Sequence, residues 1–350
     1  MATLVHPEQD FLNWGRLTLD GIPYADLSEA AERGSKTTWL EFWLAKADSY
    51  EALADEALVQ GHTISAGEWL WLSSLCCQYG QFLWSDERTR DAQARKAMLY
   101  ARAAPYLRPP AERIDLPYKD VVIPGYLRLP LGRQDKVPCV VLLGGLESTK
   151  EESYLFENLL LARGVATFAF DGPGQGEMWE QLEVQPDFDR YTSFVADYLG
   201  TRAELDPGNL GVLGRSLGGH YALRSASADA RFRACVSWGG FVYMDRWEAR
   251  SDATRERWRY VTKAATQAEA REKTERIIDC RTLLPDLRAP TYILHGALDP
   301  IPIRQVDVLR SLAIHAPLTI EIKPAGDHCC HNLGPAPRVA MADWIADRLR

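Results

Sequence analysis

From Pro110 to the C-terminus, short apolar runs alternate with segments of helical period, and this alternation constrains the fold more than any other feature. Strands are expected over 114–116, 121–129, 139–143, 165–170, 210–213, 234–238, 291–295 and 318–322. Between them a helix ends at Arg163 before Gly164, another covers 191–205, and a third starts at Gly218. A last helix closes the chain over 336–350. Strands separated by helices imply an α/β fold: a mostly parallel sheet covered on both faces. Residues 244–285 break the pattern. They are charged and helical with no strand, and read as a helical insertion above the sheet that helps form a cap.

The first 112 residues differ from the rest. They hold Trp14, Trp39, Trp43, Trp69, Trp71 and Trp84 and almost no strand signal. Trp39, Phe42, Trp43, Ala47 and Tyr50 recur at steps of three and four, one face of a helix. Residues 65–84 are apolar nearly all round, as in a helix buried on several sides. Residues 86–104 are amphipathic, with Ala94, Ala97, Met98, Ala101 and Ala104 expected on the packing side. Pro105, Pro109 and Pro110 stop helix. The division expected is a helical N-terminal support or cap domain, 1–112, and a core domain, 113–350.

Composition excludes several classes. The formal net charge of −8 gives no positive field for nucleic acid or an anionic membrane surface. No apolar run approaches the roughly 20 residues of a membrane span. The opening residues MATLVHPE lack the basic and apolar regions of a secretory leader. The seven cysteines include the adjacent pairs Cys76-Cys77 and Cys329-Cys330 but no Cys-x-x-Cys. A reduced, cytoplasmic compartment follows as the expectation.

Gly214-Arg-Ser216-Leu-Gly218 lies between an expected strand and an expected helix. A strand turning sharply into a helix exposes the middle residue, and flanking glycines let the backbone pass closely. Ser216 is therefore the candidate nucleophile. This elbow predicts an acid and then a histidine further along the chain. Asp299, in His295-Gly-Ala-Leu-Asp299, and His328, in Gly326-Asp-His328, each follow a strand and reach the same sheet edge. His328 would take the serine proton, and Asp299 would hold its tautomer. Asp245 is the alternative acid. Asp327 reads as a surface carboxylate. His331 is a rival base, His220 a packing residue and His295 a satisfied core histidine. His6, His62 and His315 have no supporting context.

Oxyanion donors are expected from the Leu217 N–H and from Leu146, in the loop Gly144-Gly-Leu-Glu-Ser-Thr-Lys-Glu151. Glu147 beside such a hole would repel developing charge. It either turns away, is protonated, or meets a cationic or donor group of the substrate. Asp171-Gly-Pro-Gly-Gln-Gly-Glu177 is a second glycine-rich loop. It lacks the dinucleotide and P-loop signatures and reads as a tight turn beside the site. No metal-ligand spacing occurs, so no metal and no cofactor are expected.

Together these loops, with Asp327-His-Cys-Cys-His331, resemble the 2,6-dihydroxypseudooxynicotine hydrolase-like α/β hydrolases. Relatives of that group are the fungal polyketide-shortening hydrolases and the fermentation–respiration switch proteins. The resemblance implies an α/β-hydrolase core with an N-terminal helical region, and a homodimer. It implies a Ser216-Asp299-His328 triad that cleaves a carbon–carbon bond between an aromatic ring and a ketone carbon. It also implies that Glu147 contacts substrate.

The activity expected is therefore hydrolysis of a carbon–carbon bond in an aryl ketone or β-keto small molecule. The same triad would serve a carboxylesterase or an acyl-eliminating lyase. A non-catalytic partner-binding protein is the third reading, and it has no need of a strained elbow.

Overall fold

The computed structural model describes residues 14–33, 35 and 37–350, so the opening octapeptide and His6 lie outside the described residues. The chain divides into two compact units, Met1–Arg113 and Ile114–Arg350.

The first unit contains helices Trp14–Asp20, Tyr24–Arg33, Trp39–Val59, Thr63–Gly80 and Glu87–Ala103. The two longest are joined by Gln60-Gly61-His62, and Gly61 has φ +78°. That left-handed turn suits a residue without a Cβ. Trp39 and Trp43 are fully buried, and the Trp39 indole donates to the Tyr79 carbonyl at 2.9 Å. A Cβ on Gly80 would come within 3.0 Å of the Trp43 Cβ, so a small residue lets these helices approach. Asp86 caps the last helix by accepting from the Arg88 N–H at 3.0 Å.

The packing side expected for that last helix is partly wrong. Ala97 and Ala104 are buried, but Ala94, Met98 and Ala101 face solvent, with Met98 51% exposed. Ala92, Lys96, Leu99, Tyr100 and Ala103 make the buried face instead. Lys96 misled the reading, because its ammonium is buried against the Gln78 side-chain oxygen at 3.1 Å.

The sheet has eight strands, the first of which starts three residues before the second unit: β1 Ala111–Tyr118, β2 Val121–Arg128, β3 Val137–Leu143, β4 Ala166–Phe170, β5 Leu205–Arg215, β6 Phe232–Trp238, β7 Thr291–Gly296 and β8 Leu318–Lys323. They lie in the order β1-β2-β4-β3-β5-β6-β7-β8. β2 runs antiparallel to β4, and from β4 to β8 every pairing is parallel. The central strands are nearly continuous apolar runs because both faces are covered. On one face, helices Phe188–Thr201 and Leu217–Ala228 supply Phe188, Val195, Leu199, Tyr221 and Leu223. On the other, Tyr154–Leu161 and Ala336–Arg348 supply Phe156, Leu160, Met341 and Ile345. This is an α/β-hydrolase fold.

Among the shifted boundaries in the second unit, two moved furthest. β5 begins at Leu205, not 210, and the helix before it ends at Thr201. The polar run Asp206-Pro-Gly-Asn209 hides the start of the strand, where Leu205 pairs with Val137 before a register shift. Between β6 and β7 lie helices Asp252–Val261 and Gln267–Ile277, with short turns at Trp247–Ala249 and Leu284–Asp286.

Candidate active site

Ser216 sits between β5 and the helix Leu217–Ala228 with φ +56° and ψ −115°. Such a conformation costs a non-glycine residue free energy and persists only where its surroundings enforce it. The flanking glycines are needed for contact as well as for freedom. A Cβ on Gly214 would lie 1.9 Å from the Gly218 carbonyl oxygen, and one on Gly218 would lie 2.1 Å from that of Leu143. The Ser216 N–H donates to the Trp238 carbonyl at 2.8 Å, which ties the turn to β6.

The ends of three strands converge here. His328 follows β8, and its Nε2 lies 2.8 Å from the Ser216 Oγ. Its Nδ1 lies 2.8 Å from Oδ2 of Asp299, in the loop after β7. With Nδ1–H donating to the carboxylate, Nε2 is free to accept the serine proton. Asp299 Oδ1 accepts the Ile301 N–H at 2.8 Å. Gly296 allows the His328 loop to cross the end of β7, since a Cβ there would meet the Asp327 carbonyl at 2.2 Å. The turn after His328 carries Cys329 and Cys330 at φ +60° and +54°, and the Trp238 indole donates to the Cys329 carbonyl at 2.6 Å.

Burial works to raise the Asp299 pKa, but His328 and the Ile301 amide outweigh it and hold the carboxyl below its ordinary value. Burial likewise opposes charge on His328, while the Cys329 thiol and the Asp299 carboxylate carry its pKa well above 6.5. Cys329 Sγ also lies 3.6 Å from the Trp238 carbonyl, to which it donates.

Ser216, His328, Leu146, Leu217 and Glu147 all line one pocket of about 140 Å³. Asp299 lies behind His328, its side chain fully buried. Phe241, Met244, Trp258, Pro300 and Ile301 form apolar walls, and Arg250 and Thr254 add polar groups. Trp258, Arg250, Thr254 and Met244 belong to the insertion and were not singled out from the sequence. No motif marks them there; the one signal was the apolar residues interrupting its charged helices.

The loop carrying Leu146 is clamped from two sides. Gln175 Nε2 donates to the Gly144 and Gly145 carbonyls at 2.9 and 3.0 Å. Arg215, next to the nucleophile, donates to Ser148 Oγ at 3.0 Å and pairs with Glu152. Glu151, Asp171 and Glu177 converge in a carboxylate cluster, and the buried Lys150 ammonium pairs with them at 2.5, 2.7 and 2.5 Å. Burial opposes that charge, but the three carboxylates raise the Lys150 pKa. The glycine-rich loop 171–177 is thus the partner that fixes the Leu146 loop.

The other sequence candidates are placed elsewhere. Asp245 is bound by Arg304 at 2.6 and 2.8 Å. Asp327 accepts from the Asn332 N–H at 3.3 Å, and His331 packs edge-on against Trp238. His220 stacks on Phe241 and bonds its carbonyl through Nδ1 at 3.0 Å; burial lowers its pKa to about 3, so it stays neutral. His295 is buried as expected, but neither ring nitrogen makes a geometrically sound hydrogen bond. The Ile301 backbone is the polar neighbour of its ring.

Among the described residues no helix is long and apolar enough to cross a membrane. Residues 35–253 match the family described as Esterase FrsA-like. The chain is 48% identical to 2,6-dihydropseudooxynicotine hydrolase of Paenarthrobacter nicotinovorans over 349 residues, covering 100% of this chain and 95% of that protein. The crystal structure of 2,6-dihydroxy-pseudo-oxynicotine hydrolase superposes with a TM-score of 0.93 at 48% identity over 96% of each chain. The hydrolyase ccsE of Aspergillus clavatus is 33% identical over 266 residues, 67% of this chain and 59% of that protein. The chain is a hydrolase, and it belongs to the FrsA-like esterase family of the α/β hydrolases.

Proposed function

We propose that Ser216, His328 and Asp299 form the catalytic triad of an enzyme that hydrolyses a carbon–carbon bond beside a ketone carbonyl, in an aryl ketone or β-keto substrate. One observation carries this reading: the unbroken relay from Asp299 through His328 to the Ser216 hydroxyl, at the mouth of an apolar-walled pocket. The likeness to a pseudooxynicotine hydrolase supports it.

Ser216 Oγ adds to the carbonyl carbon as its proton passes to His328 Nε2. Asp299 fixes the tautomer and steadies the imidazolium. The oxyanion rests on the N–H groups of Leu146 and Leu217. Glu147, on the pocket wall, takes a donor group of the substrate. Collapse breaks the bond to the leaving carbon, whose electron pair takes the proton back from His328. Water deprotonated by His328 then cleaves the acyl-enzyme and frees a carboxylic acid. Carbon–carbon cleavage needs a stabilised carbanion, so the leaving group is an electron-rich ring or an enolate. No step calls for a metal or cofactor.

The family description favours a second reading, cleavage of an ester by the same residues. Aryl ketones, β-diketones and acyl esters assayed in H₂¹⁸O by mass spectrometry separate the two. The proposal expects a ketone to release its ring and an acid carrying ¹⁸O, with Ser216→Ala inactive. Turnover of esters alone would favour the second reading, and release of unlabelled acid would mark an elimination. We further propose a homodimer, that the insertion 244–285 caps the site, and a reducing, cytoplasmic location. Seven free, buried cysteines support the last.

A further inference from the structure

The pocket contains one cation that the proposed chemistry leaves unused. Arg250 lies just past the turn Trp247–Ala249, half-buried on the pocket wall. Its Nε is shut off from solvent and makes no hydrogen bond. Its Nη2 reaches the Asp245 carbonyl only at 3.5 Å, a marginal contact. The neighbouring carboxylates are engaged elsewhere. Asp245 accepts three hydrogen bonds from Arg304 and one from Gln305 Nε2 at 3.2 Å. Asp299 holds His328 and the Ile301 amide. Burial lowers the Arg250 pKa, Asp299 and Asp245 oppose that, and a guanidinium keeps its charge. The guanidinium that lines the pocket therefore makes no close hydrogen bond within the protein, and an anionic group that pairs with its accessible edge is stabilised here.

We propose that Arg250 binds an anionic oxygen of the substrate, an ionised ring hydroxyl or a carboxylate, and so sets the substrate class of the pocket. The inference rests on the reading of Ser216 as nucleophile. A planar guanidinium fork suits such an oxygen and is strongest in a partly desolvated site. Phe241, Trp258 and Ile301 line the same pocket and suit a flat ring beside the guanidinium. The placement also bears on the cleavage. When the ring reacts as its keto tautomer, with the leaving carbon tetrahedral, the electron pair of the breaking bond becomes an enolate on the ring oxygen, and Arg250 pairs with that charge until it takes the proton held by His328. No other reactant is needed.

The test uses the full chain carrying Ser216→Ala, titrated calorimetrically with acetophenone, 2,4-dihydroxyacetophenone and 4-acetylbenzoate. At least one of the two acidic ketones is expected to bind about tenfold or more tightly than acetophenone, as a charge-assisted hydrogen bond implies. Adding Arg250→Met abolishes that preference, and Arg250→Lys keeps part of it. The acidic ketone that wins identifies the source of the oxygen. Equal affinities, no binding by any of the three, or a preference that survives Arg250→Met overturns the proposal. If Arg250→Met fails to fold, Arg250→Gln is read by the same criteria. Fluorophosphonate labelling of Ser216 in the otherwise unaltered chain keeps the two readings apart. No labelling sinks the nucleophile; labelling with no preference for the acidic ketones sinks the role of Arg250 alone.

Discussion

The two sides of the pocket are built differently. On the sheet side the backbone is fixed by contacts that permit no alternative residue, such as Gly214 against Gly218 and Gly296 against the Asp327 carbonyl. There the polar groups around Ser216 are paired at 2.8 to 3.0 Å, including His328, Asp299 and the clamp of Gln175 on Gly144 and Gly145. On the insertion side the wall is made of Met244, Arg250, Thr254 and Trp258, and Arg250 makes only a marginal hydrogen bond, at 3.5 Å. The difference separates chemistry from selection. Pre-organised groups lower a barrier only if they do not move, whereas a wall that recognises one substrate is free to vary with it.

The largest effect comes from the rigid side. Ser216→Ala and His328→Gln should each lower kcat by about 10⁴-fold or more while leaving the thermal midpoint close to that of the unaltered chain. Steady-state kinetics with a turned-over ketone or ester check this. Gly218→Ala should follow, with kcat down on the order of 10²- to 10³-fold and a lower midpoint. Its Cβ would meet the Leu143 carbonyl at 2.1 Å and displace the Leu217 N–H. Gln175→Ala should cost about tenfold in kcat with little change in KM, because it frees two carbonyls of the Leu146 loop and touches no substrate. An equal loss in KM would argue that Gln175 binds substrate instead. On the insertion side Trp258→Ala should change the ranking of substrates by several-fold and leave labelling of Ser216 intact; a loss of labelling would dissolve the contrast between the two sides.

The pH profile is a finer test of the same rigidity. His328 acts as base only when neutral, and Asp299 holds its pKa well above 6.5. Activity should therefore fall as pH drops through that raised value, placing the acid limb above pH 6.5. Asp299→Asn removes the carboxylate, so the limb should move to lower pH even as kcat falls. A limb below 6.5 in the unaltered chain would mean that Asp299 does not act on His328.

The same contrast explains what could be read from the sequence. The elbow glycines and the order of serine, acid and histidine were legible because close backbone approach and a proton relay admit few residue types. Asp299 was favoured over Asp245, but Asp245 follows the parallel β6 and so stayed the alternative; only the Arg304 pairing shows how it is occupied. The clamp was half legible: Asp171-Gly-Pro-Gly-Gln-Gly-Glu177 stood out as a turn, but spacing alone does not say which carbonyls Gln175 meets. Arg250 and Trp258 were illegible, since in a charged insertion helical period does not reveal which side meets a pocket. Met98 was misjudged for a related reason: apolar spacing chose one face, and the buried Lys96 shows that the neighbouring face was the one packed.

The most direct measurement is intact and peptide mass after treatment with a fluorophosphonate. The account predicts one adduct per chain on Ser216, formed more slowly as pH falls and absent from Ser216→Ala. A chain that takes no adduct, or takes it on another residue, would contradict the assignment of position 216 as the nucleophile.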